Sequence, residues 1–233
     1  MVYIIGMTNI HFKILLVITI VLIMWSVFQY YTEKNKRDME DNMKVPLRFQ
    51  NTEYDCGTTS FVNALAYLYD REDIPVELLK AIYRYTLDVE NEEGIKGKGG
   101  TSREHAEKLS KYFQNYANNK TFDLKCTTLK GKDVDILKIK QVTDHGGVAV
   151  ARCFLLGDEH YVLITKVDEY FAYIFDPYYL EEEAFVKDSE ISIVLNQCFT
   201  HNRLVTLSRL MSTERKNFSL LNLNDRQVIL LEK

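Results

Sequence analysis

The apolar residues of this chain change their spacing along its length, and each spacing predicts a different kind of element. The first is an unbroken run at residues 14–32, where no charged residue interrupts ILLVITIVLIMWSVFQYYT. At about 1.5 Å per residue, a helix of this length approaches the roughly 30 Å hydrocarbon core of a bilayer. Tyr30 and Tyr31 at its end suit a membrane interface. We therefore predict a single-pass transmembrane anchor over residues 12–32.

Two other interpretations of this apolar run are weaker but stay open. A cleaved signal peptide needs small residues at its cleavage site, whereas bulky residues, FQYY at 28–31, follow the apolar core. A buried core helix would not need branched apolar side chains around its whole circumference. The flanking charges bear on orientation, since Lys34, Lys36 and Arg37 follow the run, whereas Lys13 and the amino terminus precede it. The positive-inside rule thus favours, by a small margin, a cytoplasmic domain after the anchor.

Helical spacing dominates the chain between residues 45 and 120. The preceding segment, residues 33–44, is highly charged and aperiodic, which indicates a linker, and residues 1–11 form an N-terminal tail. Helices are predicted from residue 55 or 57 to about 69, from 76 to 87 behind Pro75, and onwards from the capping-box pair Thr101 and Glu104.

A glycine-rich segment, EEGIKGKGG at residues 92–100, separates the second and third of these predicted helices. It lacks the GxxxxGK[ST] order of a phosphate-binding loop, and no strand pattern precedes it. We therefore predict a solvent-exposed hinge there.

Beyond residue 120 the apolar residues gather into short runs that are typical of strands. These are predicted at 122–129, 147–156, 160–167, 170–175, 204–210 and 228–231. Because the helices come first and the strands second, residues 45–233 are expected to form one α+β domain, with N-terminal helices packed on an antiparallel sheet.

Composition narrows the classes of function. The chain is 46% hydrophobic and 27% charged, which excludes a disordered or wholly membrane-embedded protein. Its net charge of −4 is spread over both signs and gives no basic stripe for nucleic acid. None of its four cysteines forms a CxxC pair, and Cys198 with His201 is only half of a metal-binding pattern. We expect no metal and no cofactor, and we expect the cysteines other than Cys56 to be buried and reduced.

Candidate chemistry is concentrated in three short segments. Cys56 stands where QNTEYDCG enters the first soluble helix, and a helix N-terminus favours a thiolate. His160 opens the apolar strand HYVLI, and Asp176 follows the next strand, so an antiparallel pair would return the chain beside the histidine. Gln50 precedes the cysteine and could donate to an oxyanion. Each residue also has a plainer interpretation: a core cysteine, a structural histidine, an Asp-Pro turn and a surface glutamine.

Taken together, QNTEYDCG, HYVLI and FDP resemble the bacteriocin-processing cysteine peptidases, family C-thirty-nine, best known as N-terminal domains of peptide-exporting ABC transporters. The resemblance covers about residues 45–179 and is carried by Gln50, Asp55, Cys56, Gly57, His160, Asp176 and Pro177. It implies a papain-like fold in which Cys56 is the nucleophile and His160 shuttles the proton. Asp176 would then orient the imidazole, and Gln50 would stabilise the oxyanion.

The chain departs from that family in its surroundings. It has no ATP-binding cassette and no Walker motif, and it has one predicted membrane segment, so the family's leader-peptide specificity is not carried over. We expect a stand-alone, membrane-anchored cysteine peptidase that hydrolyses peptide or protein substrates through a thioester, with a separate transporter as a further partner. The alternatives are an acyl or amide transferase on the same fold and a non-catalytic peptide-binding module. The sequence suggests no role for residues 180–233 beyond completing the sheet.

Overall fold

The computed structural model describes residues 13–32 and 45–233, and the two parts are treated separately. Residues Lys13–Thr32 form one helix, α1, with a mean hydropathy of 2.1. It is long and apolar enough to cross a membrane, a property that it shares with signal sequences and with some core helices of soluble proteins. The predicted tail and linker lie outside the described residues.

Residues Val45–Lys233 form one compact unit of helices and strands. Its helices are α2 (Cys56–Leu68), α3 (Val76–Tyr85), α4 (Arg103–Lys120), α5 (Ile136–Asp144) and α6 (Leu207–Leu210). Its strands are β1 (Lys125–Lys130), β2 (Val148–Leu155), β3 (Asp158–Val167), β4 (Phe171–Phe175), β5 (Ile191–Ile193), β6 (Arg203–Thr206) and β7 (Gln227–Glu232).

The strands form one seven-stranded sheet in the order β1-β7-β2-β3-β4-β6-β5. Every neighbouring pair is antiparallel. The C-terminal strand β7 lies between β1 and β2, so the end of the chain builds the interior of the sheet. The predicted α+β class with an antiparallel sheet is confirmed.

Both faces of the sheet carry an apolar core. Helices α2, α3 and α4 cover one face, where Phe61, Leu65 and Phe113 are fully buried. Helix α5 packs against β2 and β3 in the second core, which contains the fully buried Ile139 and Phe218. Because each large apolar side chain contributes about 1.5–3 kcal/mol on burial, both cores hold the sheet in place.

Three sequence predictions were wrong in detail. Helix α5 lies between β1 and β2, so helices and strands are not fully segregated along the chain. The predicted strand at 204–210 is β6 followed by α6, which Thr206 caps by accepting a hydrogen bond from the Arg209 amide. Helix α4 begins after Ser102, whose hydroxyl accepts from the His105 amide, so Thr101 is not its cap.

Candidate active site

Cys56 is the first residue of α2 and is 7% exposed. Asp55 occupies the capping position, but its carboxylate accepts hydrogen bonds from the backbone amides of Asn51 and Thr52 instead of capping the helix. The first turn of α2 therefore has no side-chain cap. Its amide groups and the positive end of the helix dipole are available to a thiolate or an oxyanion beside Cys56.

Close packing holds the start of α2 against β3. A Cβ atom on Gly57 would lie 2.6 Å from Thr101 Oγ1 and 3.3 Å from Tyr161 Cδ2, so a larger residue does not fit there. One turn after Cys56, the buried Ser60 hydroxyl donates to the Tyr161 carbonyl oxygen at 3.0 Å. Since Tyr161 directly follows His160, these contacts fix the cysteine-bearing helix relative to the histidine-bearing strand.

His160 and Asp176 form a buried hydrogen bond. Strands β3 and β4 pair antiparallel, which brings the start of β3 beside the residue that follows β4. His160 Nε2 and Asp176 Oδ1 lie 2.7 Å apart, and the two residues are 7% and 0% exposed. With Nε2 engaged by the carboxylate, Nδ1 is the ring nitrogen left to exchange a proton with a neighbouring group.

The surroundings of His160 favour its charged form. Burial by itself lowers the pKa of His160, because it penalises the imidazolium. The negative charges of Cys56 and Asp176, together with the hydrogen bond to Asp176, outweigh burial and raise the pKa of His160 to about 10. Cys56 and His160 therefore border the same cavity, and His160 is hydrogen-bonded to Asp176, which is the arrangement expected of a nucleophile, a base and an orienting acid.

Asp176 is held by residues from the C-terminal part of the chain. The Asn202 side chain accepts from the Asp176 amide at 2.7 Å and donates to the Asp176 carbonyl oxygen at 2.8 Å. Arg203, 2% exposed, places Nη2 3.5 Å from Asp176 Oδ2. Tyr178 donates its backbone amide to Oδ1 at 2.9 Å. Neither Asn202 nor Arg203 was predicted as a site residue, because no sequence pattern around the start of β6 connects them with Asp176.

Gln50 lies beside the same Asp-Pro turn. Its backbone amide donates to the Pro177 carbonyl oxygen at 2.8 Å, which joins the loop before Cys56 to the segment after β4. Its side-chain Nε2 donates to the Thr52 carbonyl oxygen at 2.7 Å. An amide nitrogen carries two hydrogens, so a second donor is left for a ligand.

Two adjoining cavities meet at Cys56. One of about 640 Å³ extends towards Arg152 and the glycine-rich segment, and Gly99 and Gly100 form part of its wall. The other, of about 300 Å³, contains His160, Leu156 and Tyr178. Both are concave and border the nucleophile candidate, as a peptide-binding cleft requires.

The glycine-rich segment is more than the predicted exposed hinge. Gly97 and Gly99 both donate backbone hydrogen bonds to the Val89 carbonyl oxygen at 3.0 Å, and Glu90 bridges to Lys96 in an antiparallel pair. Gly99 has no room for a Cβ atom, which would lie 2.4 Å from the Glu90 carbonyl oxygen. The segment is a folded wall of the cleft.

The remaining cysteines differ in exposure. Cys126 and Cys153 are buried free thiols, as predicted, and burial raises the pKa of Cys126 to about 12 and that of Cys153 well above its ordinary value. Cys198 is exposed, so the prediction that it is buried was wrong. Within the described residues, no group of three His, Cys, Asp or Glu side chains is arranged to hold a metal ion.

Comparisons with known proteins find a distant structural similarity. No family model and no curated protein matches the chain. Among solved structures, the crystal structure of a proposed C39-like peptidase from Bacillus anthracis is similar. It shares 16% sequence identity at a TM-score of 0.46, over 82% of this chain and 96% of that one. The function proposed below therefore rests on the geometry of the site.

Proposed function

We propose that the chain is a cysteine peptidase that hydrolyses peptide bonds through Cys56, His160 and Asp176. One observation carries the proposal: a buried histidine bonded at 2.7 Å to a fully buried aspartate lines the same cavity as a cysteine at an uncapped helix N-terminus. A structural core histidine needs a single hydrogen-bond partner and no cleft. This one adjoins the same cavity as the cysteine.

The proposed reaction uses these three residues in two steps. The Cys56 thiolate attacks the peptide carbonyl carbon, and the imidazolium of His160 gives its proton to the leaving amine as the C–N bond breaks. Water then attacks the thioester carbon and gives a proton to His160, the carboxylic acid leaves, and the thiolate returns. Asp176 keeps the ring oriented and stabilises the imidazolium throughout.

Each tetrahedral intermediate carries a negatively charged oxygen. The backbone amide of Cys56 at the start of α2 is one donor to it, and the second N–H of Gln50 is the other. The backbone hydrogen bond from Gln50 to Pro177, the residue after Asp176, supports this role.

We further propose that α1 anchors this domain to a membrane as a single-pass segment, with residues 1–11 as a tail, 33–44 as a linker and 45–233 as the peptidase domain. The length and hydropathy of α1 support the anchor. The excess of cations after residue 32 supports a cytoplasmic domain. A peptide or protein is the proposed substrate, and a separate transporter is a proposed partner.

Thiol reactivity tests the proposal directly. The full-length chain in detergent is treated with iodoacetamide at about pH 6, well below the ordinary thiol pKa of about 8.5, and alkylation is mapped by mass spectrometry. The exposed Cys198 is an internal standard for an ordinary thiol. We expect Cys56 to react at least about tenfold faster than Cys198, and His160→Ala to remove the difference.

Cys56 reacting no faster than Cys198 would overturn the proposal and favour a non-catalytic peptide-binding module. If Cys56 is reactive, quenched fluorescent peptides then report hydrolysis. An added amine nucleophile separates a peptidase from an acyl transferase, because a transferase forms the amide product in preference to the free acid.

A further inference from the structure

Arg203 is one of the largest side chains in the protein that is fully buried, with 2% of it exposed. It lies at the start of β6, and its guanidinium is near Asp176 Oδ2, the carboxylate oxygen that His160 does not bond. Asp176 Oδ1 accepts from His160 and from the Tyr178 amide, whereas Oδ2 lies 3.5 Å from Arg203 Nη2. The carboxylate thus lies between an imidazole and a guanidinium.

Two backbone carbonyl groups hold the guanidinium in this position. Arg203 Nη1 donates to the Asn202 carbonyl oxygen at 2.8 Å, and Nη2 donates to the Tyr178 carbonyl oxygen at 3.1 Å. Asn202 in turn holds the backbone of Asp176 through two hydrogen bonds. Arg203 is therefore fixed to the same turn that carries the carboxylate.

The charges of the site explain why a buried arginine belongs there. A thiolate at Cys56 and a carboxylate at Asp176 are two negative charges, and an imidazolium at His160 is one positive charge. All three residues are no more than 7% exposed. A net charge removed from water is strongly unfavourable, so two anions with one cation would favour the neutral thiol.

We propose that Arg203 is a positioning residue that supplies the second positive charge of the site, so that Cys56 and Asp176 are ionised at the same time. This inference rests on the proposed peptidase function and adds a fourth charged member to Cys56, His160 and Asp176.

Neither ionisable residue beside His160 on β2 supplies this charge. From β2, Cys153 pairs with His160 in the strand register and burial keeps it a neutral thiol. The neighbouring Arg152 forms its ion pair with Glu159 of β3. Within the described residues, Asp176 forms an ion pair with Arg203 and with no other arginine or lysine.

Arg226 is a matched control for the purely structural effect of a buried arginine. It is 4% exposed, and its guanidinium donates to the carbonyl oxygens of Leu221 and Met211. In the described part of the chain it has no carboxylate within ion-pair distance. Arg226→Met removes the packing and hydrogen bonds of a buried arginine and leaves the charges of the site unchanged.

The test measures the rate constant of Cys56 alkylation by iodoacetamide in the full-length chain, between about pH 5 and about pH 9. We expect Arg203→Met to lower the rate at about pH 6 by about tenfold or more and to shift the profile upward by about one pH unit or more. Arg203→Lys keeps the charge and should retain most of the rate. Arg226→Met should lower the melting temperature and leave the pH profile unchanged.

Asp176→Asn gives a second arm that also serves if Arg203→Met fails to fold. With one negative charge removed, the site no longer needs a second cation, so the Asp176→Asn variant should keep nearly the same alkylation rate when Arg203→Met is added to it. A loss of about tenfold or more on that addition, or a folded Arg203→Met with the wild-type profile, overturns the role of Arg203 alone. If Cys56 of the wild type is alkylated no faster than Cys198, the peptidase proposal is overturned, and this inference with it.

Discussion

The Ser60 hydroxyl donates to the Tyr161 carbonyl oxygen at 3.0 Å, although 101 residues separate the two along the chain. Ser60 lies one helical turn after Cys56, and Tyr161 directly follows His160. One buried hydrogen bond therefore joins the helix that carries the candidate nucleophile to the strand that carries the candidate base. Such a contact matters for a catalytic site, because a misplacement of the reacting groups by about 1 Å can reduce the rate of catalysis by about a hundredfold.

Ser60→Ala should weaken this connection while preserving the fold. The lost hydrogen bond is expected to lower the free energy of unfolding by about 1–2 kcal/mol and to slow Cys56 alkylation at about pH 6. Ser110→Ala is the matched control, because Ser110 is also buried and its hydroxyl contacts Thr128 and Cys126, away from the site. Denaturant unfolding and alkylation rates measure both effects. Equal alkylation rates in the two variants would show that the Ser60 contact is only structural.

The pKa values of two histidines should move in opposite directions. Burial lowers the pKa of His160, but the charges of Cys56 and Asp176 raise it to about 10, whereas burial and the nearby Lys166 lower the pKa of His201. In ¹⁵N-histidine spectra of the full-length chain, we expect the His160 ring to stay doubly protonated through neutral pH. Cys56→Ala should lower its pKa, because the thiolate charge is removed.

The raised pKa also fixes a sign for stability. The stabilisation from His160 is fully present below its ordinary pKa of about 6.5 and is lost as the pH rises through about 10. The ring resonances of His160 measure this titration directly. A His160 ring that titrates below pH 7 in the wild type would contradict the thiolate–imidazolium pair.

Gln50→Ala separates oxyanion stabilisation from thiolate formation. Losing one oxyanion donor should lower kcat for a cleavable peptide by about a hundredfold. Alkylation of Cys56 by iodoacetamide is a displacement at saturated carbon that forms no oxyanion, so its rate should stay near that of the wild type. If kcat is unchanged, the observed hydrogen bond from Gln50 to the Thr52 carbonyl oxygen is the whole role of the side chain.

The parts of the site that could be predicted from sequence are those fixed by local structure. Cys56 at a helix start follows from apolar spacing, and the meeting of His160 with Asp176 follows from two strands joined by a short turn. Both predictions depend only on the spacing of apolar residues within short segments. The structure places Cys56 at the start of α2 and His160 beside Asp176, as that spacing indicated. Their catalytic roles stay predictions.

The parts that could not be predicted depend on contacts between distant segments. Asn202 and Arg203 reach Asp176 only because β6 pairs with β4. The order of strands in a sheet cannot be predicted from the local spacing of apolar residues. Helix α5 was missed because it is short and buries only Ile139, Val142 and Thr143. The strand predicted at 204–210 failed because Thr206 caps a helical turn, which is a hydrogen bond rather than an apolar pattern.

Asn202→Ala should destabilise the domain and disturb the site together. It removes two hydrogen bonds to the Asp176 backbone and leaves buried groups without partners, at a cost of about 2–4 kcal/mol. Asn63 is a matched control, since it forms the same reciprocal pair with the Arg48 backbone at 2.9 Å. We expect Asn202→Ala and Asn63→Ala both to unfold at a lower denaturant concentration than the wild type. Only Asn202→Ala should lower the pKa of His160. A similar His160 pKa in both would limit Asn202 to stability.

Leu156 offers the opposite experiment, a substitution that should stabilise the fold and harm the function. It begins the two-residue turn between β2 and β3 with a φ of 50°, and Gly157 follows at 105°. This type I′ pattern favours Asn over a leucine, for which the left-handed conformation costs about 1 kcal/mol. Yet Leu156 is 59% exposed in the cavity that contains Cys56 and His160. Strain of this kind is typical of functional positions.

We therefore expect Leu156→Asn to raise the free energy of unfolding by about 0.5–1 kcal/mol, because the strain is relieved and little apolar burial is lost. Cleavage of peptides with a large apolar residue should fall, since the exposed leucine no longer contributes to the cleft. Leu223→Asn is the control for an exposed leucine, 42% exposed, whose φ is not positive. A rise in stability without loss of peptide cleavage would make Leu156 an ordinary turn residue, and a fall in stability would show that its side chain stabilises the hairpin despite its φ.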